Sequence, residues 1–332
     1  MKVSIIGSTG YTGFELVKIL IKHPHIEISA VTSDSYAGKN FSEIYPQLTN
    51  IFDKTIEPNN FEQIASKSDI IFLCLPHAAS MDAVKYFFVK GKICIDLSAD
   101  FRYQDISLYE KTYKINHKYP ELLDFTAYGI PELFEKNIKS AKIIGNPGCY
   151  PTSIIIPTYP LLKEGLISPE IIADSKSGVS GAGKKPTEKT HFCEVNEDFK
   201  PYSILSHRHE SEISSILKLA DKNSKVIFTP HLLPINRGIE STIYTKSDKS
   251  LEQLYDCLKE YYKNKKFVRI YENSIPSIKN VQYTNFIDIA LFKRRETLII
   301  VSCIDNLIKG ASGQAVQNMN LLLNLKESTA LI

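Results

Sequence analysis

The sequence predicts an α/β protein: a doubly wound, Rossmann-type parallel sheet joined to a second, α+β domain for substrate binding and dimerisation. Three observations carry this reading. A strand, a glycine loop and an amphipathic helix open the chain. Apolar strands then alternate with helices as far as residue 145. After Cys149 the texture changes and strands dominate. A length of 332 residues exceeds one typical core and suits two domains. The predicted division is a dinucleotide-binding domain over 1–148, completed by a C-terminal helix within 311–332, and a catalytic domain over 149–310.

The first strand, Lys2 to Ile6, stops at Gly7-Ser8-Thr9-Gly10-Tyr11-Thr12-Gly13, after which Phe14, Leu16, Val17, Leu20 and Ile21 repeat at helical spacing. A phosphate-cradling turn needs this context, because glycines admit a pyrophosphate to the backbone and the helix N-terminus supplies N–H donors. All seven residues of the loop are therefore candidate cofactor contacts. The second strand, Glu27 to Thr32, ends at Ser33 and Asp34, with Lys39 nearby. Hydroxyls such as that of Ser33, with a cation, suit a 2′-phosphate and predict NADP; Asp34 would suit the free ribose hydroxyl of NAD. Asp69 to Pro76 reads as a buried parallel strand, followed by the loop His77-Ala78-Ala79-Ser80 and a helix towards Val89. Lys92 to Asp96 is the next strand. The loop after it, Leu97-Ser98-Ala99-Asp100-Phe101-Arg102, lies where strand C-termini meet ligand, which makes Ser98 and Arg102 candidate substrate contacts. A surface salt bridge would explain Arg102 nearly as well.

Gly145-Asn146-Pro147-Gly148-Cys149-Tyr150-Pro151-Thr152 places a thiol in a sharp bend between two apolar runs. A cysteine at a helix N-terminus gains thiolate character and serves as a nucleophile; a buried structural cysteine is the alternative. Ile171 to Lys176 reads as a strand, leading to Ser177-Gly178-Val179-Ser180-Gly181-Ala182-Gly183-Lys184-Lys185. Gly178 to Lys184 begins like a nucleoside-triphosphate loop, but Lys185 stands where Ser or Thr should hold Mg²⁺. An anion-binding loop is what remains. Ser206-His207-Arg208-His209-Glu210 puts two imidazoles on one side if it is extended. They could serve as a catalytic acid/base, as structural histidines or, with further ligands, as a metal site; the spacing supplies none, and no metal is predicted. Further strands are expected at 225–229, 240–245, 286–291 and 297–301, and a helix around Leu251 to Lys263. Gly310-Ala311-Ser312-Gly313 opens a final helix, Gln314 to Leu323, with an apolar face of Ala315, Met319 and Leu322-Leu323 packed back on the nucleotide domain.

Composition excludes other classes. Forty basic and 37 acidic residues give a net charge of +3 without a basic stripe, which argues against nucleic-acid binding. Runs such as Lys263-Asn264-Lys265-Lys266 and Lys293-Arg294-Arg295 read as solvated faces. Six scattered cysteines without paired spacing suit a reducing compartment. The chain enters a strand at once, leaving no room for a signal peptide, and no apolar run reaches membrane-spanning length; the expected setting is cytoplasmic and away from membranes.

With these motifs, Tyr128-Gly129-Ile130-Pro131-Glu132-Leu133 and Gly310 to Asn318 included, the chain resembles the N-acetyl-gamma-glutamyl-phosphate reductases, NADPH-dependent enzymes of arginine biosynthesis. Ser211 departs from the family pattern, where proline is expected. The resemblance implies that Cys149 displaces phosphate from an acyl phosphate and that hydride then reduces the thioester to N-acetyl-glutamate 5-semialdehyde. It implies His207 as the acid/base, and His209, Arg208 and Lys184 as substrate or phosphate contacts. Ser177, Gly178, Gly313 and Asn318 are added to the cofactor contacts, and a homodimer or homotetramer is expected. The alternatives are a related reductase of an aminoadipyl or aspartyl derivative, or a non-catalytic nucleotide-binding protein in which Cys149 is structural.

Overall fold

The computed structural model describes residues 1–332. The chain divides into two compact units, Met1–Pro147 with Ala311–Ile332, and Gly148–Gly310.

The first unit is built on six parallel strands: β1 (Lys2–Ile6), β2 (Glu27–Thr32), β3 (Ile70–Leu73), β4 (Ile93–Asp96), β5 (Thr126–Tyr128) and β6 (Ile143–Gly145), in the order β2-β1-β3-β4-β6-β5. The helices are α1 (Tyr11–Leu20), α2 (Phe41–Ile44), α3 (Phe61–Lys67), α4 (Met81–Val89), α5 (Ile106–Tyr113) and α6 (Pro131–Ser140). Every residue of β3 is buried, as its unbroken apolar run requires of a strand covered on both faces. The crossover from β2 to β3 passes over β1, so the strand order reverses beside β1. That reversal opens the crevice where such sheets bind ligands, at the end of β1 that carries Gly7.

The terminal helix, Gly313–Leu322, packs against α1 and α6. The narrow apolar face expected of it is corrected. Gln314, Gln317, Asn318 and Asn320 are buried too, whereas Leu322 and Leu323 are only half-buried. Internal partners permit this. Gln317 Nε2 donates to Glu132 Oε1 at 2.9 Å, and Asn320 Nδ2 donates to the carbonyls of Glu327 and Thr329 at 3.1 and 3.0 Å.

The second unit holds a mixed sheet of β7 (Glu170–Gly178), β8 (Lys200–Pro201), β9 (Lys225–Leu233), β10 (Ile239–Lys246), β11 (Val268–Tyr271), β12 (Ile287–Arg294) and β13 (Thr297–Ile304), ordered β11-β12-β13-β10-β7-β9-β8. Its helices are α7 (Cys149–Lys163), α8 (Phe192–Val195), α9 (Arg208–Ala220), α10 (Leu251–Tyr262) and α11 (Ile278–Val281). Helix α7 is buried from Tyr150 to Leu162 although Pro157 and Pro160 stand inside it. Each proline removes an N–H that a carbonyl four residues earlier would use. Hydroxyls replace both: Ser302 Oγ donates to the Ser153 carbonyl at 2.5 Å, and Tyr262 OH to that of Ile156 at 2.5 Å. No helix is long and apolar enough to cross a membrane, and all six cysteines are free thiols.

Candidate active site

In the first unit the glycine loop joins β1 to α1 as its sequence requires. Gly7 has φ +75°, and a Cβ there would stand 2.5 Å from the Cys74 carbonyl oxygen. Gly10 is the N-cap of α1 and brings no side chain to the first N–H groups, so they stay available to an anion. Ser8 and Thr9 buttress the loop from behind. Ser8 N and Oγ both donate to the Thr32 carbonyl at 3.0 Å, and Thr9 Oγ1 donates to Ser33 Oγ at 3.0 Å. Ser33 is thus a buried support for the loop. Asp34 accepts from Asn59 N at 3.2 Å and from Asn59 Nδ2 at 2.8 Å, so its carboxylate is already engaged. Ser312 Oγ donates to the Thr12 carbonyl at 2.8 Å, and Gly313 starts the helix that carries Asn318. Asn318 Nδ2 donates to the Gly129 carbonyl and to Asn146 Oδ1, while its own Oδ1 is buried without a partner. An orphaned acceptor of this kind fits a donor from a bound group, as the carboxamide of a nicotinamide would supply.

Two expected substrate contacts of this unit are bonded within the chain. Ser98 is buried and turned inward: its hydroxyl donates to Asp96 Oδ2 at 2.6 Å and accepts from Asp100 N at 3.1 Å. Arg102 is buried as well, its Nε donating to the Asn146 carbonyl at 2.7 Å and its Nη2 to that of Leu97 at 2.9 Å. A surface ion pair does not describe it; these bonds tie the loop after β4 to the turn after β6.

The second unit begins with the thiol. Cys149 is the first residue of the 15-residue helix α7, and Gly148 is its N-cap. Gly148 N donates to Glu212 Oε1 at 2.9 Å, with the Glu212 side chain fully buried. A Cβ on Gly148 would stand 2.6 Å from His209 Nε2, so the imidazole lies directly against the turn that presents Cys149. The stretch that would turn both imidazoles to one side if extended is helical from Arg208: His207 is the N-cap of α9, and its Nδ1 accepts from His209 N at 3.1 Å. Helix N-caps favour side chains that accept from the first turn, and here an imidazole does so. The two rings still meet, with centroids 4.8 Å apart. Both face the ring of Tyr150, at 5.8 and 5.9 Å. Burial, with Arg208 beside it, pulls the His207 imidazole down to about 4, so it is neutral at pH 7. Because Nδ1 accepts, the proton of the neutral ring sits on Nε2. Tyr202 OH donates to Tyr150 OH at 3.2 Å, and Tyr150 OH to the His231 carbonyl at 3.3 Å; burial raises both phenols, Tyr202 to about 12.

The remaining expected contacts divide. Arg208 is exposed at the first position of α9. Lys184 lies on an exposed stretch, and partial burial of its ammonium lowers its basicity. Ser177 and Gly178 end β7 inside the second unit. Ser177 Oγ donates to the Gly178 carbonyl at 3.0 Å, and a Cβ on Gly178 would stand 2.7 Å from Arg237 N. Gly178 is therefore glycine for the backbone packed on it, and the expected cofactor role is not needed to explain it. Glu212 was passed over in the sequence. Its signal was the i,i+3 spacing from His209 on an amphipathic helix, which puts both on one face.

The two units match two family models: residues 2–141 match "Semialdehyde dehydrogenase, NAD binding domain", and 149–306 match "Semialdehyde dehydrogenase, dimerisation domain". Among solved structures, aspartate semialdehyde dehydrogenase II of Vibrio cholerae, complexed with ASA, superposes with a TM-score of 0.75 over 97% of this chain and 98% of that one, at 17% identity. Aspartate semialdehyde dehydrogenase of Candida albicans with NADP gives 0.75 over 97% and 98%, at 18% identity. The fold is that of the semialdehyde dehydrogenases. Curated relatives narrow it further. The N-acetyl-gamma-glutamyl-phosphate reductase of Caldicellulosiruptor saccharolyticus is 49% identical over 100% of this chain and 98% of its own length, and that of Pelotomaculum thermopropionicum 48% identical over 100% and 97%. The chain belongs to the N-acetyl-gamma-glutamyl-phosphate reductase family.

Proposed function

We propose that this protein reduces N-acetyl-glutamyl 5-phosphate to N-acetyl-glutamate 5-semialdehyde and phosphate, in arginine biosynthesis, through a thioester on Cys149. The observation that carries the mechanism is the thiol at the first position of α7, in a turn held by Glu212 with His209 against Gly148 and His207 against the ring of Tyr150. The helix N-terminus favours the thiolate. Cys149 Sγ attacks the acyl carbon as the thiolate, the C–O bond to phosphate breaks, and phosphate leaves with the bonding pair and takes up a proton from solvent. His209, against Gly148, and Arg208 are placed for the anionic groups of the substrate. NADPH, which Gly7 to Gly13, Gly313 and Asn318 fit, supplies the hydride that reduces the thioester carbon when bound. His207 donates from Nε2 to the oxygen as it becomes an alkoxide, and recovers the proton as the C–S bond breaks and the aldehyde carbonyl re-forms. Sulfur departs as the thiolate, ready for the next turn.

The test is reduction of NADP⁺ or NAD⁺, with phosphate, by three semialdehydes: N-acetyl-glutamyl, aminoadipyl and aspartyl. The reading expects turnover with the first, faster with NADP⁺, and a loss of at least about 10³-fold in Cys149→Ser. His207→Asn keeps a capping side chain but loses the Nε2 donor, and should lose about 10²-fold or more. Normal turnover in Cys149→Ser would end the covalent mechanism, and normal turnover in His207→Asn would leave His207 as a cap only.

We also infer a homodimer that forms through the uncovered face of the second sheet, the protein working in the cytoplasm. Phe292, Ile299, Tyr244, Ile172 and Ile227 lie in register across β12, β13, β10, β7 and β9, and four of the five are exposed. An apolar stripe of this length calls for a partner. Light scattering should give a dimer or a tetramer for the native chain and a smaller species for Ile172→Asp; a native monomer would refute the inference.

A further inference from the structure

Gly310 stands in a helical turn, Ile308–Ser312, and its φ is not positive, so its backbone does not require glycine. Space does. A Cβ at Gly310 would stand 2.7 Å from Cys149 Cβ and 3.2 Å from Cys149 Cα, closer than carbon atoms approach without displacement. The turn that brings Gly310 there is held by one carboxylate. Asp305, fully buried, accepts from Leu307 N at 2.8 Å, Ile308 N at 3.0 Å and Tyr283 N at 2.6 Å. Its own carbonyl accepts from Gly310 N at 2.9 Å. Arg237, 4% exposed, holds the carboxylate from the other side, Nη2 donating to Oδ1 at 3.0 Å and Nε in ion-pair contact with Oδ2 at 2.9 Å, while its guanidinium lies 4.4 Å from the centre of the Tyr283 ring. So many bonds to one acceptor leave the turn little freedom. A buried ion pair bonded this fully is set for geometry more than for stability.

We propose that Gly310 is a positioning residue for Cys149: its bare Cα sets where the thiol-bearing carbon sits at the head of α7, and the Asp305–Arg237 pair keeps it in place. This rests on Cys149 being the nucleophile. The device acts through Cys149 and touches no substrate.

The experiment compares iodoacetamide alkylation of Cys149, located by peptide mass spectrometry across pH, in the native protein and in Gly310→Ala. Steady-state kinetics run in parallel. A methyl group at 310 pushes Cys149 away from the helix N-terminus, so alkylation at pH 7 should slow about tenfold, with the profile moved to higher pH. Turnover should fall about 100-fold with KM for NADP⁺ within about twofold, the pattern of a misplaced reacting atom and not of lost binding. An alkylation profile equal to that of the native protein overturns the proposal. If Gly310→Ala does not fold, Asp305→Asn, which keeps the size of the hub but weakens its clamp, should slow alkylation about threefold, and an unchanged profile again overturns it. Native protein that stays active after complete alkylation of Cys149 would overturn the covalent mechanism instead, and leave the alkylation comparison standing.

Discussion

Gly7 to Gly13 and Gly178 to Gly183 each place three glycines just after a strand, yet only the first run continues into a helix. Beyond β1 the chain enters α1 at once, and no side chain caps the first N–H groups of that helix. Beyond β7 it makes one short turn, Val179–Ala182, and runs on through an exposed stretch without a helix to supply donors or a dipole. A helix that follows the glycine loop adds the N–H donors and the dipole that favour a bound phosphate. In the second run the same residue type serves a different need, the close passage of the backbone at Asn236 and Arg237.

Substitution at the two loops should therefore fail in different ways. The largest effect is expected at Gly13, where a Cβ would meet Ser8 Cα at 2.5 Å and force the first turn of α1 off the loop. Gly13→Ala should weaken NADP⁺ binding about 100-fold in a fluorescence titration, and its overpacking should lower the thermal transition as well. Gly178→Ala should lose stability alone, about 1–3 kcal/mol through overpacking, with NADP⁺ affinity unaltered. Equal losses of cofactor affinity in both variants would restore Gly178 as a cofactor contact.

The smallest effect separates the units by pH. In the first unit, burial and the neighbouring Asp100 push the Asp96 carboxyl from 3.8 up to about 7. The stability this contributes is complete below pH 3.8 and is lost as pH climbs towards 7, because the unfolded chain ionises first. In the second unit His207 is depressed from 6.5 to about 4, and its contribution is complete above pH 6.5 and lost as pH falls through that window. Each slope stays below about 1.4 kcal/mol per pH unit. Hydrogen exchange read separately on peptides of the two units should show opposite trends, flattened in Asp96→Asn and in His207→Asn respectively. The same trend in both units would sink this account.

Local chemistry was legible where one stretch of chain contains its own reason. The glycine loop needs only β1 before it and α1 after it, and the cysteine needs only its bend and helix. The loop after β4 was less legible for the opposite reason. Position at the end of a strand suggested that Ser98 and Arg102 face a ligand, but their partners, Asp96, Leu97 and Asn146, take them inward. A polar side chain in a crevice loop bonds whatever acceptor lies nearest, and periodicity does not reveal which.

Cys149 shows the division most clearly. The sequence alone determined that a thiol stands at a rigid bend after a parallel-sheet unit, because glycine, proline and apolar spacing act over a few residues. Tertiary structure alone decided what surrounds it: Glu212 on the Gly148 amide, His209 against the same turn, and Gly310 giving room for its Cβ. Those residues lie about 60 to 160 positions further along the chain. Their meeting depends on how helices and sheet pack, and packing depends on volumes that no local pattern encodes.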